Sequence, residues 1–316
     1  MNISFVVPIY NDGAFAADFC AEFERVLCAH YGVASLTGIA ELIFVDDGSR
    51  DDSAKVVKSI LPRFPFVRLI VLSRNFGQHI ALSCGYAHAA GTYVGMLNVD
   101  MEDPPSEIPK LIAVLERDEA DIVTGIRPQR RGPLLDRVSS RIFHWTLNKL
   151  TGASTPTNAA TLRLMNRKFV DAYNSLEERS RFIPGLEVWL GFRHGYVPID
   201  HVARTRGKST YTFRGRLRMA IDAILSFSDL PLRIVAMFGF VAAFGGLIAI
   251  AVIVTSKLLG YEWQRGFAST ISVIVFFVGL QIFTTGIAAI YVGRILREVQ
   301  RRPVYVITQK YNFEEE

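Results

Sequence analysis

The stretch TYVGMLNVDMEDPP, residues 92–105, determines the expected fold and raises the first chemical question. Its first half is a short apolar run of strand type, and its second half places Asp100, Glu102 and Asp103 within four positions. A proline pair follows, which neither a central strand nor a helix interior accepts. A strand that ends in acidic residues before a rigid turn is typical of a ligand site at the edge of a sheet.

Runs of the same strand type recur along the first half of the chain, with helix-like segments between them. The other strand-like runs are ISFVVPIY, ELIFVD, VRLIVLS and ADIVTGI, and the helix-like segments cover about 14–30, 52–61, 78–89 and 106–117. This alternation predicts an α/β fold with a mostly parallel sheet covered on both faces. Ligands of such sheets bind beyond the carboxyl ends of the strands. We therefore expect one site from the polar strand ends PIYND, VDDGS, LSRNFG, NVDMED and GIR.

The distribution of apolar residues predicts a membrane part after about residue 233. The chain has 316 residues, of which 50% are hydrophobic. Two uncharged runs, 234–256 and 266–293, exceed the roughly 20 residues that cross a bilayer, and they predict a two-helix transmembrane hairpin. Arginines lie outside this pair on both sides, so the positive-inside rule places the globular part in the cytoplasm. The N-terminal MNISFVVPIYND predicts no signal peptide.

Two basic amphipathic segments, 134–150 and 213–230, fit either core-packing helices or helices in the membrane interface. The net charge of +5 suits an anionic partner without saying whether it is nucleic acid, a phosphorylated ligand or a membrane surface. Three cysteines indicate small buried residues in a reducing compartment. The expected organisation is a catalytic-type domain over 1–212, a juxtamembrane helix over 213–232, two spans over 233–293 and a cytoplasmic tail over 294–316.

The acidic stretch itself indicates a hard divalent cation. Asp100 and Glu102 stand at i and i+2, so on an extended segment their side chains point to the same side. Carboxylate ligands with no His or Cys nearby suit Mg²⁺ or Mn²⁺ rather than Zn²⁺. Two protein carboxylates leave coordination positions that a diphosphate fills. A solvated acidic turn is the competing interpretation, which the neighbouring polar strand ends disfavour.

The ordered set of motifs resembles the family-two glycosyltransferases with the GT-A fold over nearly the whole chain. The motifs are VVPIYND, VDDGSRDDS, SRNFGQHIALSCGYAHAAG and NVDMEDPPSEIP, followed by the two apolar runs. The set is most similar to the polyprenyl-phosphate branch, which includes dolichol-phosphate mannose synthases, undecaprenyl-phosphate glucosyltransferases and the undecaprenyl-phosphate aminoarabinose transferase. The resemblance implies a multi-pass enzyme of the inner (plasma) membrane with a cytoplasmic catalytic domain.

The resemblance also implies a reaction and its participants. A sugar would move, with inversion, from a UDP- or GDP-linked donor to polyprenyl (undecaprenyl) phosphate, with Mg²⁺ or Mn²⁺ as cofactor. Nucleic acid is not an expected partner. The sugar, the nucleotide base, the lipid and the oligomeric state stay open, although membrane relatives form tetramers and a homotetramer is among the assemblies allowed.

Roles for individual residues follow from the same resemblance. Asp100 and Glu102 would bind the metal, and Asp100 and Arg127 would be catalytic. The nucleotide sugar would contact Pro8, Tyr10, Asn11, Asp12, Asp46, Asp47, Asn98 and Asp100. The acceptor phosphate would contact Arg127, Arg137, Ser140 and Arg141, for which solvated membrane-surface charge is an equal alternative. A flexible loop over the donor would present Arg206, Lys208, Ser209 and Tyr211.

Departures from the family pattern keep a rival interpretation open. Thr161 stands where glucosyltransferase-like members have an Asp considered the general base, Asn98 replaces a first Asp, and Thr210 replaces a lysine. A phosphate monoester with a second pKa near ~6 is already largely dianionic at pH 7, so no base is assigned. The departures would also suit a catalytically impaired relative that acts as a membrane scaffold or partner subunit. A processive polysaccharide synthase is disfavoured because no QxxRW-like motif appears. His79 fits either a donor contact or a capping or packing role.

Overall fold

The computed structural model describes residues 2–127, 156, 158–179, 181–200, 230–259 and 266–313. The chain divides into two compact units. The first unit comprises Met1–Ala220 together with Pro303–Glu316, and the second comprises Ile221–Arg302. The end of the chain therefore belongs to the same unit as its beginning.

The described part of the first unit forms an eight-stranded mixed sheet. In chain order the strands are β1 (Ile3–Ile9), β2 (Ala40–Asp46), β3 (Val67–Leu72), β4 (Tyr93–Met96), β5 (Ile122–Ile126), β6 (Ala159–Asn166), β7 (His194–Pro198) and β8 (Ile307–Tyr311). Their order across the sheet is β7-β5-β6-β4-β1-β2-β3-β8. Strands β4, β1, β2 and β3 are parallel neighbours, as is the pair β5 and β7. The predicted α/β fold with a mostly parallel sheet is confirmed.

Helices connect the strands, and the first four of them lie where the sequence pattern predicts helices. The helices of this unit are α1 (Ala16–Tyr31), α2 (Ser53–Ile60), α3 (Gln78–His88), α4 (Ile108–Glu116), α5 (Arg167–Asn174) and α6 (Ile183–Trp189). On one face of the sheet the core is aromatic. The ring of Phe23 meets that of Phe5 edge-on at 5.5 Å between centroids, and Phe19 meets Phe44 at 6.2 Å. Each ring is fully buried and stabilises the fold by about 1.5–3 kcal/mol.

Strand β6 is inserted antiparallel between β4 and β5. Its sequence AATLRLMN alternates buried and half-buried residues, as a strand with differing faces does. The insertion has a consequence for function, because it brings Thr161 at the start of β6 beside the carboxyl end of β4. The five strands expected from the sequence are present, and β6, β7 and β8 add to them.

Strand β8 comes from the segment that follows the membrane-type helices and pairs antiparallel with β3. Further contacts secure this pairing. The Asn312 amide donates to the carbonyl of Val67 at 2.9 Å, and the Lys58 ammonium lies 4.3 Å from the centre of the Tyr311 ring. Within the cytoplasmic tail expected over 294–316, residues 307–311 thus form a strand that closes one edge of the sheet.

The second unit contains two long helices, α7 (Leu230–Leu258) and α8 (Phe267–Val299). One stretch, Phe276–Val299, is long and apolar enough to cross a membrane, with a mean hydropathy of 1.7. In α7 the apolar stretch Val235–Gly246 is shorter than such a span. By length and composition, one of the two expected transmembrane helices is thus found among the described residues.

Candidate active site

The first two loops at the carboxyl ends of the strands are joined by hydrogen bonds. After β1 the backbone turns at Asn11, whose φ is +60°. The amide N–H of Asn11 donates to Ser49 Oγ at 3.0 Å, and the side-chain oxygen of Asn11 accepts from the N–H of Arg50 at 2.9 Å. Tyr10, directly before this turn, keeps 37% of its surface exposed. Its ring is thus available to a planar ligand at the edge of the sheet.

The two acids that follow β2 are both buried, and they contact different loops. Asp46 accepts the N–H of Ser49 at 3.3 Å and also the hydroxyl of that serine. Asp47 accepts the N–H groups of Phe76 and Gly77 at 2.7 and 2.9 Å, so it holds the loop that begins α3. Burial raises the pKa of both carboxyls, against the opposing effect of these hydrogen bonds. Asp46 is thus linked through Ser49 to the first loop, which follows β1. Asp47 holds the third loop, which follows β3.

The turn after these acids requires glycine. Gly48 has a φ of +65°, and an added Cβ would lie 2.3 Å from the carbonyl carbon of Arg74. A residue other than glycine would be strained in this region of φ and would also push the third loop away. Gly48 therefore fixes the distance between the second loop and the third.

The segment that carries Asp100, Glu102 and Asp103, called the acidic loop below, is not extended. The expectation that Asp100 and Glu102 lie on an extended segment is therefore wrong. Strand β4 ends at Met96, and Met101 has a φ of +55°, which turns the backbone between Asp100 and Glu102. The backbone N–H of Glu102 donates to Asp100 Oδ1 at 3.3 Å, which links the two residues across this turn. Both residues are half-exposed.

The third acid of this loop, Asp103, has a structural role that the sequence did not reveal. It is 3% exposed and is fully engaged on both oxygens. Oδ1 accepts from Arg127 Nε at 2.8 Å, and Oδ2 accepts from the backbone N–H groups of Thr161 and Leu162 at 2.9 and 3.2 Å. Asp103 thus ties the acidic loop to β5 and to the start of β6. The adjoining proline pair was the sequence signal of this rigidity.

Arg127 lies among the acids rather than apart from them. Its Nη1 is 3.5 Å from Glu102 Oε2, and its side chain is 13% exposed. Burial alone would lower the pKa of this guanidinium, but Asp103, Glu102 and Asp100 together raise it. Three carboxylates and one guanidinium leave a formal charge of −2, which a divalent cation balances.

The donor atoms around Asp100 and Glu102 fit Mg²⁺ or Mn²⁺. Both ligands are carboxylates, and no His or Cys shares the loop, which disfavours zinc. Residues 2–127 and the other described ranges contain no group of three or more His, Cys, Asp or Glu side chains placed to hold a metal ion. A cation here would complete its shell with water or with the phosphates of a ligand.

Asn98 connects the acidic loop to the start of α3 and to β6. Its side-chain oxygen accepts from Gln78 Nε2 at 3.3 Å, and its amide donates to Thr161 Oγ1 at 3.4 Å. The predicted site residues that the structure describes therefore lie at the carboxyl ends of the strands or in the loops that follow them. These are Pro8, Tyr10, Asn11, Asp12, Asp46, Asp47, Asn98, Asp100, Glu102 and Arg127.

The remaining predicted site residues lie outside the described part of the chain. They are the acceptor candidates Arg137, Ser140 and Arg141 and the donor-loop candidates Arg206, Lys208, Ser209 and Tyr211. The two amphipathic segments that carry most of them lie outside it as well. Their roles stay predictions.

Comparison with known proteins identifies the family of the chain. The sequence profile described as "Glycosyl transferase family 2" matches residues 4–173. An uncharacterised glycosyltransferase of Synechocystis sp. is 31% identical over 316 residues, which cover 99% of this chain and 97% of that protein. The undecaprenyl-phosphate 4-deoxy-4-formamido-L-arabinose transferase of Salmonella choleraesuis is 32% identical over 311 residues, or 97% of this chain and 93% of that protein.

Solved structures support the fold alone. Mannosyl-3-phosphoglycerate synthase from Rubrobacter xylanophilus aligns with a TM-score of 0.51 and 16% identity over 74% of each chain. The similarity agrees with a GT-A-like α/β sheet.

Proposed function

The chain belongs to glycosyl transferase family 2, and we propose that it moves a sugar from a nucleotide diphosphate donor to the phosphate of a membrane polyprenol. One observation carries the proposal. The loops that follow β1, β2 and β4 converge at one edge of the sheet, where Asp100, Glu102 and Arg127 form a site of net negative charge. Such a site fits a divalent cation and the diphosphate of a donor.

The donor nucleotide would lie over the first two loops. The half-exposed ring of Tyr10 would stack on the base, and the buried carboxylate of Asp46 would accept hydrogen bonds from base N–H groups or ribose hydroxyls. Asn11 and Ser49 hold these loops together, so both contacts are placed before the ligand arrives. Preorganisation of this kind reduces the entropy lost on binding.

The diphosphate would lie beside the acidic loop. When bound to Asp100 and Glu102, Mg²⁺ or Mn²⁺ would neutralise charge on the leaving diphosphate. Arg127 would add a second positive group, aimed by its bond to the buried Asp103. Because the buried Asp103 holds the guanidinium of Arg127, the guanidinium would keep its position when Glu102 binds the metal.

The acceptor is proposed from the relatives and from chemistry. The Salmonella relative named above is an undecaprenyl-phosphate sugar transferase, and it aligns along almost the full length of both proteins. A lipid phosphate is largely dianionic at pH 7 and attacks without losing a proton. Thr161, which bonds Asn98, is therefore compatible with transfer. Attack opposite the leaving group would invert the anomeric centre.

The connectivity of the chain supports a two-helix membrane hairpin. Residues before 221 and after 302 belong to the same unit, since β8 completes the sheet of the first unit. A segment that leaves and returns to one side crosses a membrane an even number of times. With Phe276–Val299 as one crossing, α7 would be the second, and its 29 residues are long enough at about 44 Å. By the positive-inside rule, the flanking arginines would then put the catalytic unit on the cytoplasmic side of the inner membrane.

A transfer assay tests the proposal. Full-length protein in detergent receives Mn²⁺, undecaprenyl phosphate and a panel of donors, namely UDP-glucose, GDP-mannose and a UDP-linked 4-deoxy-4-formamido-L-arabinose. Mass spectrometry then detects the glycolipid. We expect product with at least one donor. Asp100→Asn should give at least ~100-fold less product, because even the loss of a residue that only supports a metal ligand lowers activity about 10–100-fold.

The variant Asp171→Asn is the matched control, since this acid is 64% exposed on α5 and pairs with Arg167 on the same helix. It should retain full activity. Failure of the wild type with every donor would contradict the proposal. Failure to bind any nucleotide as well would favour the membrane-scaffold alternative.

A further inference from the structure

A small cleft opens beside the candidate site, between the start of α3, the end of β4 and the start of β6. Its volume is about 130 Å³, and its lining includes Gln78, His79, Met96, Thr161, Arg163 and Ile183. Two of these residues, Gln78 and Thr161, are bonded to Asn98, which lies two positions before Asp100. The cleft therefore begins within a few residues of the proposed metal ligands.

The ring of His79 carries a buried nitrogen of this cleft that has no hydrogen-bond partner among the described residues. Its ring meets Phe182 edge-on at 5.6 Å between centroids, and its Nδ1 is buried without a partner. Burial, and then the positive charge of Arg163, lower the pKa of His79 to about 4. The ring is thus neutral at physiological pH, with one nitrogen as donor and the other as acceptor. A buried polar atom without a partner destabilises the protein, and a bound ligand that supplied a partner would remove this cost.

The charged residue of the cleft, Arg163, already forms an ion pair with Glu187. Arg163 Nη1 donates to both carboxylate oxygens of Glu187 at 2.6 Å, and Glu187 is 5% exposed. Because this pair neutralises itself, the cleft offers hydrogen bonds without a net charge. That chemistry suits hydroxyl or amide groups rather than a phosphate.

The size of the cleft limits the ligand further. Sites for drug-sized molecules occupy ~300–1,000 Å³. A cleft of about 130 Å³ takes a single small ring and excludes a nucleotide. Its apolar lining by Leu82, Met96 and Ile183 would pack against the carbon face of such a ring.

We propose that this cleft receives the glycosyl group of the donor, and that His79 determines which sugar is accepted by hydrogen-bonding one ring substituent. The inference rests on the proposed function, since the sugar is attached to the diphosphate held next to Asn98. A sugar that offers no partner to His79 leaves that nitrogen unsatisfied and is bound more weakly. His79 is thus a specificity-determining residue, and the chemistry stays at the metal and the acceptor phosphate.

Calorimetry with two matched ligands separates the sugar from the nucleotide. The preferred donor from the transfer panel and the corresponding nucleoside diphosphate without sugar are each titrated into full-length protein with Mn²⁺. His79→Ala should weaken binding of the nucleotide sugar at least ~10-fold, the effect of a lost buried hydrogen bond. It should leave the affinity for the nucleoside diphosphate within about twofold. His79→Gln, which keeps a donor and an acceptor, should recover part of the loss.

His88→Ala is the control on the same helix. His88 lies at the other end of α3, where its Nδ1 contacts the carbonyl of Cys84 at 2.8 Å, and it does not line the cleft. This variant should bind both ligands as the wild type does. In the transfer assay, the order of kcat/KM across the donor panel should change for His79→Ala and not for His88→Ala.

Two results would overturn the assignment. Equal weakening of both ligands by His79→Ala would show a structural effect on the whole site, and unchanged binding of both would show that the sugar does not contact His79. In either case wild-type transfer to the lipid persists, so the proposed function survives. A wild-type protein that binds neither ligand would instead remove the proposed function, and this inference with it.

Discussion

Replacing Asp103 by Asn tests the buried half of the acidic loop. The side chain keeps its shape but loses its charge and one of its acceptor oxygens. In the wild type those oxygens serve Arg127 Nε at 2.8 Å and the N–H groups of Thr161 and Leu162 at 2.9 and 3.2 Å. The single oxygen of an Asn amide can accept either from Arg127 or from the N–H groups of Thr161 and Leu162. Its NH₂ group then faces the remaining donor or donors. The variant therefore leaves at least one buried donor without an acceptor.

The magnitude follows from burial. A hydrogen bond to a charged group contributes about 1.5–3 kcal/mol, and breaking a buried ion pair costs about 3–5 kcal/mol. Glu102 remains 3.5 Å from Arg127 Nη1 and still balances part of its charge. We therefore expect a loss of about 3 kcal/mol in the free energy of unfolding, or about 6–12 °C in the melting temperature of a unit of this size.

Asp118→Asn provides the matched control. Its carboxylate also pairs with an arginine, Arg193 Nη2 at 2.7 Å, but it is 83% exposed. An exposed pair contributes about 0–1 kcal/mol, and Asn tolerates the φ of +54° at this position. Urea and thermal unfolding of the full-length variants in detergent give the comparison. Similar small losses for both would refute the structural role assigned to Asp103.

Three further outcomes are expected from single features of the fold. Gly48→Ala should lower the free energy of unfolding, measured by urea titration, by more than Gly32→Ala. Both glycines have a φ of +65°, so each variant suffers a backbone strain of about 1–2 kcal/mol, but only at Gly48 would the new methyl group also clash with the backbone of Arg74. An equal loss in the two variants would mean that the clash is relieved. The hydrogen bond from Arg193 holds the pKa of Asp121 below its usual ~3.9, so this pair stabilises the protein above that pH and the stabilisation is lost as the pH falls below it. Asp121→Asn should therefore flatten the acid side of the stability curve, and an unchanged curve below pH ~4 would contradict the pairing. Removal of 303–316 should expose the edge of β3 and reduce the monodisperse fraction in size-exclusion chromatography, whereas removal of 314–316 should not.

The central part of the fold is readable from the sequence because its strands are short apolar runs separated by helices of ordinary length. The signal is local, and β1 to β5 with α1 to α4 follow from it. Strand β8 could not be found in this way. It pairs with β3 across more than 230 residues, and the three central residues of its sequence ITQKY are polar, so only the tertiary contact makes it a strand. Strand β6 was not predicted, although its sequence AATLRLMN alternates polar and apolar residues from Thr161 to Leu164.

The candidate site shows a similar division. Asp46, Asp100 and Glu102 could be selected as candidates because acids at the carboxyl ends of buried strands fit a ligand site there, and their roles stay predictions. The distinct roles of Asp47 and Asp103 could not, because a carboxylate that accepts backbone N–H groups has the same sequence signature as one that binds an ion. The turn at Met101 was also unforeseen, since a positive φ at a residue other than glycine depends on its surroundings.

The most direct test of the central claim is Mn²⁺-dependent binding of a nucleoside diphosphate, measured by calorimetry on the full-length protein. The wild type should bind UDP or GDP at least ~10-fold more tightly with Mn²⁺ than with EDTA, and Asp100→Ala should remove that difference while Asp171→Ala keeps it. Equal nucleotide affinity with and without Mn²⁺ in the wild type, or an unchanged metal effect in Asp100→Ala, would contradict the assignment of a metal–diphosphate site to the acidic loop.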